Sequence, residues 1–107
     1  MKLHTIRLGE PWERTDVGDG RTRHRRRFGR PRTLDATERL SLSCEHLPGP
    51  STIFVNGEKI AERSAGHGYV FDLTEHLRPR NELVIEVASP EPLGTVLLEV
   101  WTVPSPS

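Results

Sequence analysis

The apolar positions of this chain fall in short alternating runs, and none keeps a helical period beyond about one turn. Leu40, Leu42 and Cys44 alternate with Arg39, Ser41, Ser43 and Glu45. That two-residue period predicts a half-buried strand over 39–45, with Cys44 as a small core residue. Leu83, Ile85 and Val87 repeat the pattern over 82–88, and Tyr69, Phe71 and Leu73 repeat it after Gly68. Residues 3–8 alternate too, with His4, Ile6 and Leu8 on one side. Over 22–28, Thr22, His24, Arg26 and Phe28 share one face, and Arg23, Arg25 and Arg27 share the other. Residues 95–103 carry Val96, Leu98 and Val100 on one face and Leu97, Trp101 and Val103 on the other, which predicts a central or doubly covered strand.

Turn chemistry separates these runs. Asn56-Gly57 is the preferred pair for a type I′ turn, because both central residues need positive φ, and it predicts a hairpin across 52–61. Pro31, Pro48-Gly49-Pro50, Pro79 and Pro90 to Pro92 break the chain elsewhere. Thr74 reads as the N-cap of a single turn over 74–77. Residues 9–20, with Pro11, Gly18 and Gly20 as breakers, read as a loop pinned by Trp12. The sum is seven to nine strands and no helix, which predicts an all-β, jelly-roll-like antiparallel β-sandwich. One domain is expected over 1–103, with a frayed tail over 104–107. The expected core is Leu40, Leu42, Cys44, Ile53, Val55, Tyr69, Phe71, Leu73, Leu83, Ile85, Val87, Val96, Leu98 and Val100.

Composition narrows the class. Nine prolines in 107 residues exclude a coiled coil. No apolar run approaches the roughly 18 residues of a membrane span. The alternating N-terminus lacks the apolar block of a secretory signal, and a single cysteine can make no internal disulfide, so a cytoplasmic location is expected. The formal charge is zero, but it is a cancellation. Residues 1–47 hold eleven basic and seven acidic residues, while 48–107 hold four and eight. The positive excess lies in Arg21, Arg23, Arg25, Arg26, Arg27, Arg30 and Arg32, with no acid among them.

The middle of the chain carries a recognisable series of motifs. Ile53-Phe54-Val55-Asn56-Gly57 is followed by Phe71-Asp72-Leu73-Thr74 and then by Asn81-Glu82-Leu83-Val84-Ile85-Glu86-Val87. This order resembles the sugar-binding jelly-roll domain of family 2 glycoside hydrolases, within the galactose-binding-like superfamily. Arg25-Arg26-Arg27-Phe28 is similar to the family's preceding strand, and 94–101 matches its closing strand. The resemblance spans roughly 23–101 and implies a galactose-binding-domain-like fold. The family's catalytic acids lie in a separate barrel, for which 107 residues leave no room. The expectation is therefore a stand-alone, shortened version with carbohydrate binding as an ancestral possibility.

Candidate sites follow from chemistry and from the resemblance. Trp12, His24, Arg26, His67 and Tyr69 are candidate ligand-binding residues, since sugar rings stack on aromatics. Against this, Tyr69 shares a core face with Phe71, and Trp12 has a loop to pin; aromatics serve readily as core. Arg21, Arg23, Arg25, Arg27 and Arg30 form a candidate anion or nucleic-acid strip. The competing and favoured account pairs them across strands with Glu45, Glu82, Glu86 or Glu99. Only Phe28 is interleaved with the arginines, whereas single-strand binders offer several stacking aromatics. The histidines His4, His24, His46, His67 and His76 show no metal-ligand spacing, and Asp16 and Asp19 alone do not make a calcium loop, so no metal and no cofactor are expected. No nucleophile motif or carboxylate pair appears, so no catalysis is expected. Three readings stay open: a non-catalytic binding module for carbohydrate or a partner protein, an anion or nucleic-acid binder, and a structural sandwich whose interface would carry Leu97 and Trp101. Membrane association is not expected.

Overall fold

The structure, a computed structural model, describes residues 2–30 and 34–102. Pro31, Arg32, Thr33, Val103 and the expected tail over 104–107 lie outside the described residues. Nine strands form two antiparallel sheets. They are β1 (Lys2–Arg7), β2 (Glu13–Gly18), β3 (Arg21–Gly29), β4 (Glu38–Leu47), β5 (Ser51–Val55), β6 (Glu58–Arg63), β7 (Gly66–Asp72), β8 (Arg80–Val87) and β9 (Val96–Thr102). The four-stranded sheet runs β1-β9-β4-β7 and the five-stranded sheet runs β2-β3-β8-β5-β6. From β4 onward the chain crosses between sheets at every connection except the β5-β6 hairpin, so each sheet supplies one wall of a shared core. Among the described residues the only helix is a 3-10 turn, Thr74–His76. No helix there is long and apolar enough to cross a membrane.

The alternation of the sequence becomes the packing. Leu40, Leu42 and Cys44 of β4, Ile53 and Val55 of β5, Leu83, Ile85 and Val87 of β8, and Val96, Leu98 and Val100 of β9 are buried together with Phe71 and Leu73. Leu8, Phe28 and Leu47 complete the core. Burial pushes the Cys44 thiol up to about 12, so it stays protonated and inert. β9 lies between β1 and β4 and is a central strand; Val96, Leu98 and Val100 face the core, while Leu97 and Trp101 on its other face are half-buried.

Three expectations need correction. Residues 13–18, read as loop, form edge strand β2, which pairs with β3 from Glu13 opposite Arg25 to Gly18 opposite Arg21. All six residues are exposed, so they carry no apolar alternation to reveal them. Gly18, Asp19 and Gly20, all at positive φ, turn the chain back into β3. With β2 the total reaches nine strands, the upper end of the expected seven to nine. Tyr69 is half-buried rather than core, because β7 is a sheet edge; its hydroxyl donates to Ser64 O at 2.9 Å. Thr74 does not cap the turn from outside. It is the turn's first residue, its amide donates to Asp72 Oδ1 at 2.9 Å, and its hydroxyl accepts Leu40 N at 2.9 Å.

The hairpin forms as expected. Val55 pairs with Glu58 across Asn56 and Gly57, whose φ values are 53° and 82°. The Asn56 side chain then does a second job. Its Oδ1 accepts Glu82 N at 2.9 Å, and its Nδ2 donates to His76 O at 2.9 Å and to Asn81 Oδ1 at 3.1 Å. Asn81 is buried in β8; its Oδ1 also accepts Arg78 N at 2.8 Å, and its Nδ2 donates to Arg78 O at 2.9 Å and Phe28 O at 3.5 Å. Two side-chain amides thus tie β3, β5, β8 and the turn that links the sheets. A buried polar group stripped of its partner costs about 1–3 kcal/mol. Replacing Asn81 with Ala strips several at once, so Asn81→Ala is expected to lose roughly 3 kcal/mol of stability in urea unfolding; a loss below about 0.5 kcal/mol, typical of a surface site, would contradict this network.

Candidate functional site

At the end of the sandwich where β9 begins, the loop after β1 faces the loop before β9 across a cleft of about 340 Å³. The first wall is fastened by its own side chains. Leu8 is buried and its amide donates to Val96 O at 2.9 Å. The Glu10 to Pro11 peptide is cis. The Glu10 carboxylate accepts Trp12 N at 2.6 Å and an Arg14 guanidinium N–H at 2.8 Å. Those bonds, Arg14's first, hold the Glu10 carboxyl below its usual range. The indole N–H of Trp12 donates to Leu8 O at 3.0 Å, which fixes the ring against the cleft. Arg26 Nε donates to Gly9 O at 2.8 Å and props the loop from β3.

The opposite wall is held by backbone. Gly94 N donates to His46 O at 3.1 Å and Glu45 N donates to Thr95 O at 2.9 Å. A Cβ on Gly94 would stand 2.8 Å from His46 Cβ, so this close approach needs glycine. His24, from β3, closes the cleft from the core side and is 2% exposed. Burial pushes its pKa down, and the nearby Arg14 charge adds to the effect. Nothing among the described residues hydrogen-bonds its buried Nε2. A buried ring nitrogen without a partner, beside an open polar cleft, is where a ligand or water hydrogen bond is expected.

The structure brings Trp12, His24 and Arg26 together: the first two line the cleft and the third supports it. It separates His67 and Tyr69, which lie on β7 at the other edge of the four-stranded sheet. His67 stacks on His46 with ring centroids 4.6 Å apart. Arg7, Glu10, Arg14 and Glu45 also border the cleft and were not foreseen. They sit in three different strands and a loop, so only the fold assembles them. Nothing local in the sequence marks these four; Trp12 in a polar stretch was the nearest signal.

The arginine strip is largely neutralised. Arg23 Nε lies 3.0 Å from Glu86 and Arg25 Nε 3.0 Å from Glu82. Arg21 stands 3.8 Å from Glu86, Arg27 4.0 Å from Glu82, and Arg25 3.7 Å from Glu13. Cross-strand pairing therefore holds for Glu82 and Glu86. Glu99 instead pairs with Lys2 at 3.1 Å, and Glu45 lies on the other sheet. Arg30 is exposed at the end of β3, with its amide on Pro79 O; Arg32 lies outside the described residues. Leu97 and Trp101 are half-buried, with Lys2 over the Trp101 ring. No group of three or more metal-ligating side chains occurs among the described residues. Asp16 lies in β2, where its Oδ1 accepts Gly18 N at 2.9 Å, and Asp19 lies in the turn that follows. A larger hollow at the far end is bordered by Asn56 and Asn81, whose amides are already spent in the network above.

Several solved structures share this fold. The FMN-binding β-glucuronidase from Facaelibacterium prausnitzii L2-6 matches 92% of this chain with a TM-score of 0.79 and 19% identity, over 22% of its own length. The β-D-glucuronidase of Dictyoglomus thermophilum matches 94% with a TM-score of 0.75 and 12% identity, over 28% of its length. A glycosyl hydrolase family 2 member from Bacteroides cellulosilyticus DSM 14838 matches 78% with a TM-score of 0.63 and 16% identity, over 13% of its length. No protein-family model and no curated protein matches the sequence. The chain therefore has the β-sandwich of a domain carried by family 2 glycosidases, and it spans under a third of these enzymes.

The buried, neutral His24 makes a pH signature. Its proton binds less readily in the folded chain than in the unfolded one, where the value is near 6.5. The unfolded state takes up protons first as pH falls, so His24's contribution is full above about 6.5 and is lost below it. The urea midpoint is expected to drop between pH 7 and pH 5, and His24→Phe is expected to flatten that slope. An equal slope in the variant would show that His24 is not the group responsible.

Proposed function

We propose that this chain acts as a non-catalytic binding module that takes carbohydrate in the cleft between the loops after β1 and before β9. The observation that carries the reading is that Trp12 and His24 line one polar cleft, and that the buried Nε2 of His24 has no hydrogen-bond partner among the described residues. A sugar ring has an apolar face for Trp12 and hydroxyls for His24. Fold likeness to glycosidases supports the same ligand class, although a fold by itself does not carry function. Of the two carboxylates at the cleft, Glu10 already accepts from Arg14 and from Trp12 N, which supports binding without hydrolysis. The strip from Arg21 to Arg27 supports a nucleic-acid role poorly, because Glu82, Glu86 and Glu13 already answer its charges.

Binding is tested by screening the chain against a glycan array and titrating the best glycan by isothermal calorimetry. Trp12→Ala is expected to weaken binding about tenfold, the size of an aromatic stacking contribution, while Tyr69→Ala on the far edge leaves it unchanged. No binding to any glycan at millimolar concentration, or equal binding by Trp12→Ala, would overturn the proposal.

A further inference from the structure

The charges around the cleft discriminate among sugars. Besides His24, four ionisable side chains border it: Arg7, Glu10, Arg14 and Glu45. Two of these answer each other. Glu10 accepts from Arg14 with one oxygen and from Trp12 N with the other, so its charge is already answered within its own wall. Arg7 and Glu45 remain. They come from β1 and β4, on either side of β9, and neither makes an ion pair among the described residues. The third unspent group is His24, neutral in its buried site, with Nε2 lacking a partner.

The unspent chemistry is therefore one guanidinium that donates, one carboxylate that accepts and one neutral ring nitrogen. An alcohol both donates and accepts, so adjacent sugar hydroxyls satisfy all three without leaving net charge in the cleft. A carboxylated sugar would gain Arg7 but set its charge against Glu45. An amino sugar would do the reverse. Like-charge juxtaposition is a strong means of rejecting a wrong ligand. We infer that the cleft selects a neutral sugar, with hydroxyls on Arg7, Glu45 and His24 and a ring face on Trp12, and rejects uronic acids. This specificity rests on the carbohydrate reading above.

The test is an NMR titration of the full chain with methyl β-D-glucopyranoside, methyl β-D-galactopyranoside and methyl β-D-glucuronide, each at low and high salt. At least one neutral glycoside is expected to shift the His24 ring and Trp12 indole signals, with the same Kd at both salt concentrations. The glucuronide is expected to bind about tenfold more weakly, the scale of one charge-assisted hydrogen bond. Glu45→Gln, an exposed position that should leave the melting temperature unchanged, is expected to weaken the neutral glycoside and narrow that gap. Glucuronide binding that equals or exceeds neutral binding and falls with salt overturns the neutral-sugar inference and leaves the carbohydrate reading standing. An unchanged gap in Glu45→Gln also overturns the inference. If none of the three shifts His24 or Trp12, the inference and the carbohydrate reading fall together.

Discussion

The hydrogen bond between the side chains of Asn56 and Asn81 holds the end of the sandwich where strands leave one sheet for the other. Asn56 sits in a two-residue turn that only a positive φ can close, and asparagine tolerates that geometry better than most residues. Asn81 is buried where β8 begins. Between them they satisfy backbone groups of Phe28, His76, Arg78 and Glu82. Without them the crossing from β7 to β8 would leave part-buried backbone groups of His76, Arg78 and Glu82 without protein partners. The five-stranded sheet would then lose its register at the end where β3, β5 and β8 meet. With that end fixed, the opposite end can carry the irregular walls of the cleft.

The same division explains the charges. A chain with zero formal charge and opposite halves suggested internal cancellation, and much of the arginine excess on β3 does meet carboxylates on β8. Exposed pairs of this kind contribute little to stability. Their larger effect is to leave no broad cationic face. The charges that remain unanswered at the cleft, Arg7 and Glu45, are of opposite sign, so the cleft offers hydrogen bonds rather than a field.

Much of the fold was legible because period-two alternation marks any strand with one buried face. Leu40, Leu42 and Cys44 needed nothing else, and Asn56-Gly57 announced its turn by chemistry alone. The motifs around Asn56, Asp72 and Asn81 pointed to the glycosidase-type sandwich because those residues build the crossings. β2 was illegible because an exposed edge strand has no apolar face to print in the sequence. Tyr69 misled because alternation shows direction but not whether another sheet covers the strand. The cleft was least legible. Trp12 and His24 could be singled out as chemistry, but Arg7, Glu10, Arg14 and Glu45 come together only through pairing that no local pattern records.

The central claim, that the Asn56 and Asn81 amides lock the far end, is tested most directly by native-state hydrogen exchange at single residues. The amides of Arg78 and Glu82 donate to those two side chains. They are expected to exchange only through global unfolding, as slowly as Leu42 or Leu98 in the core strands. Exchange of Arg78 and Glu82 at loop rates, with the core strands still protected, would contradict the account.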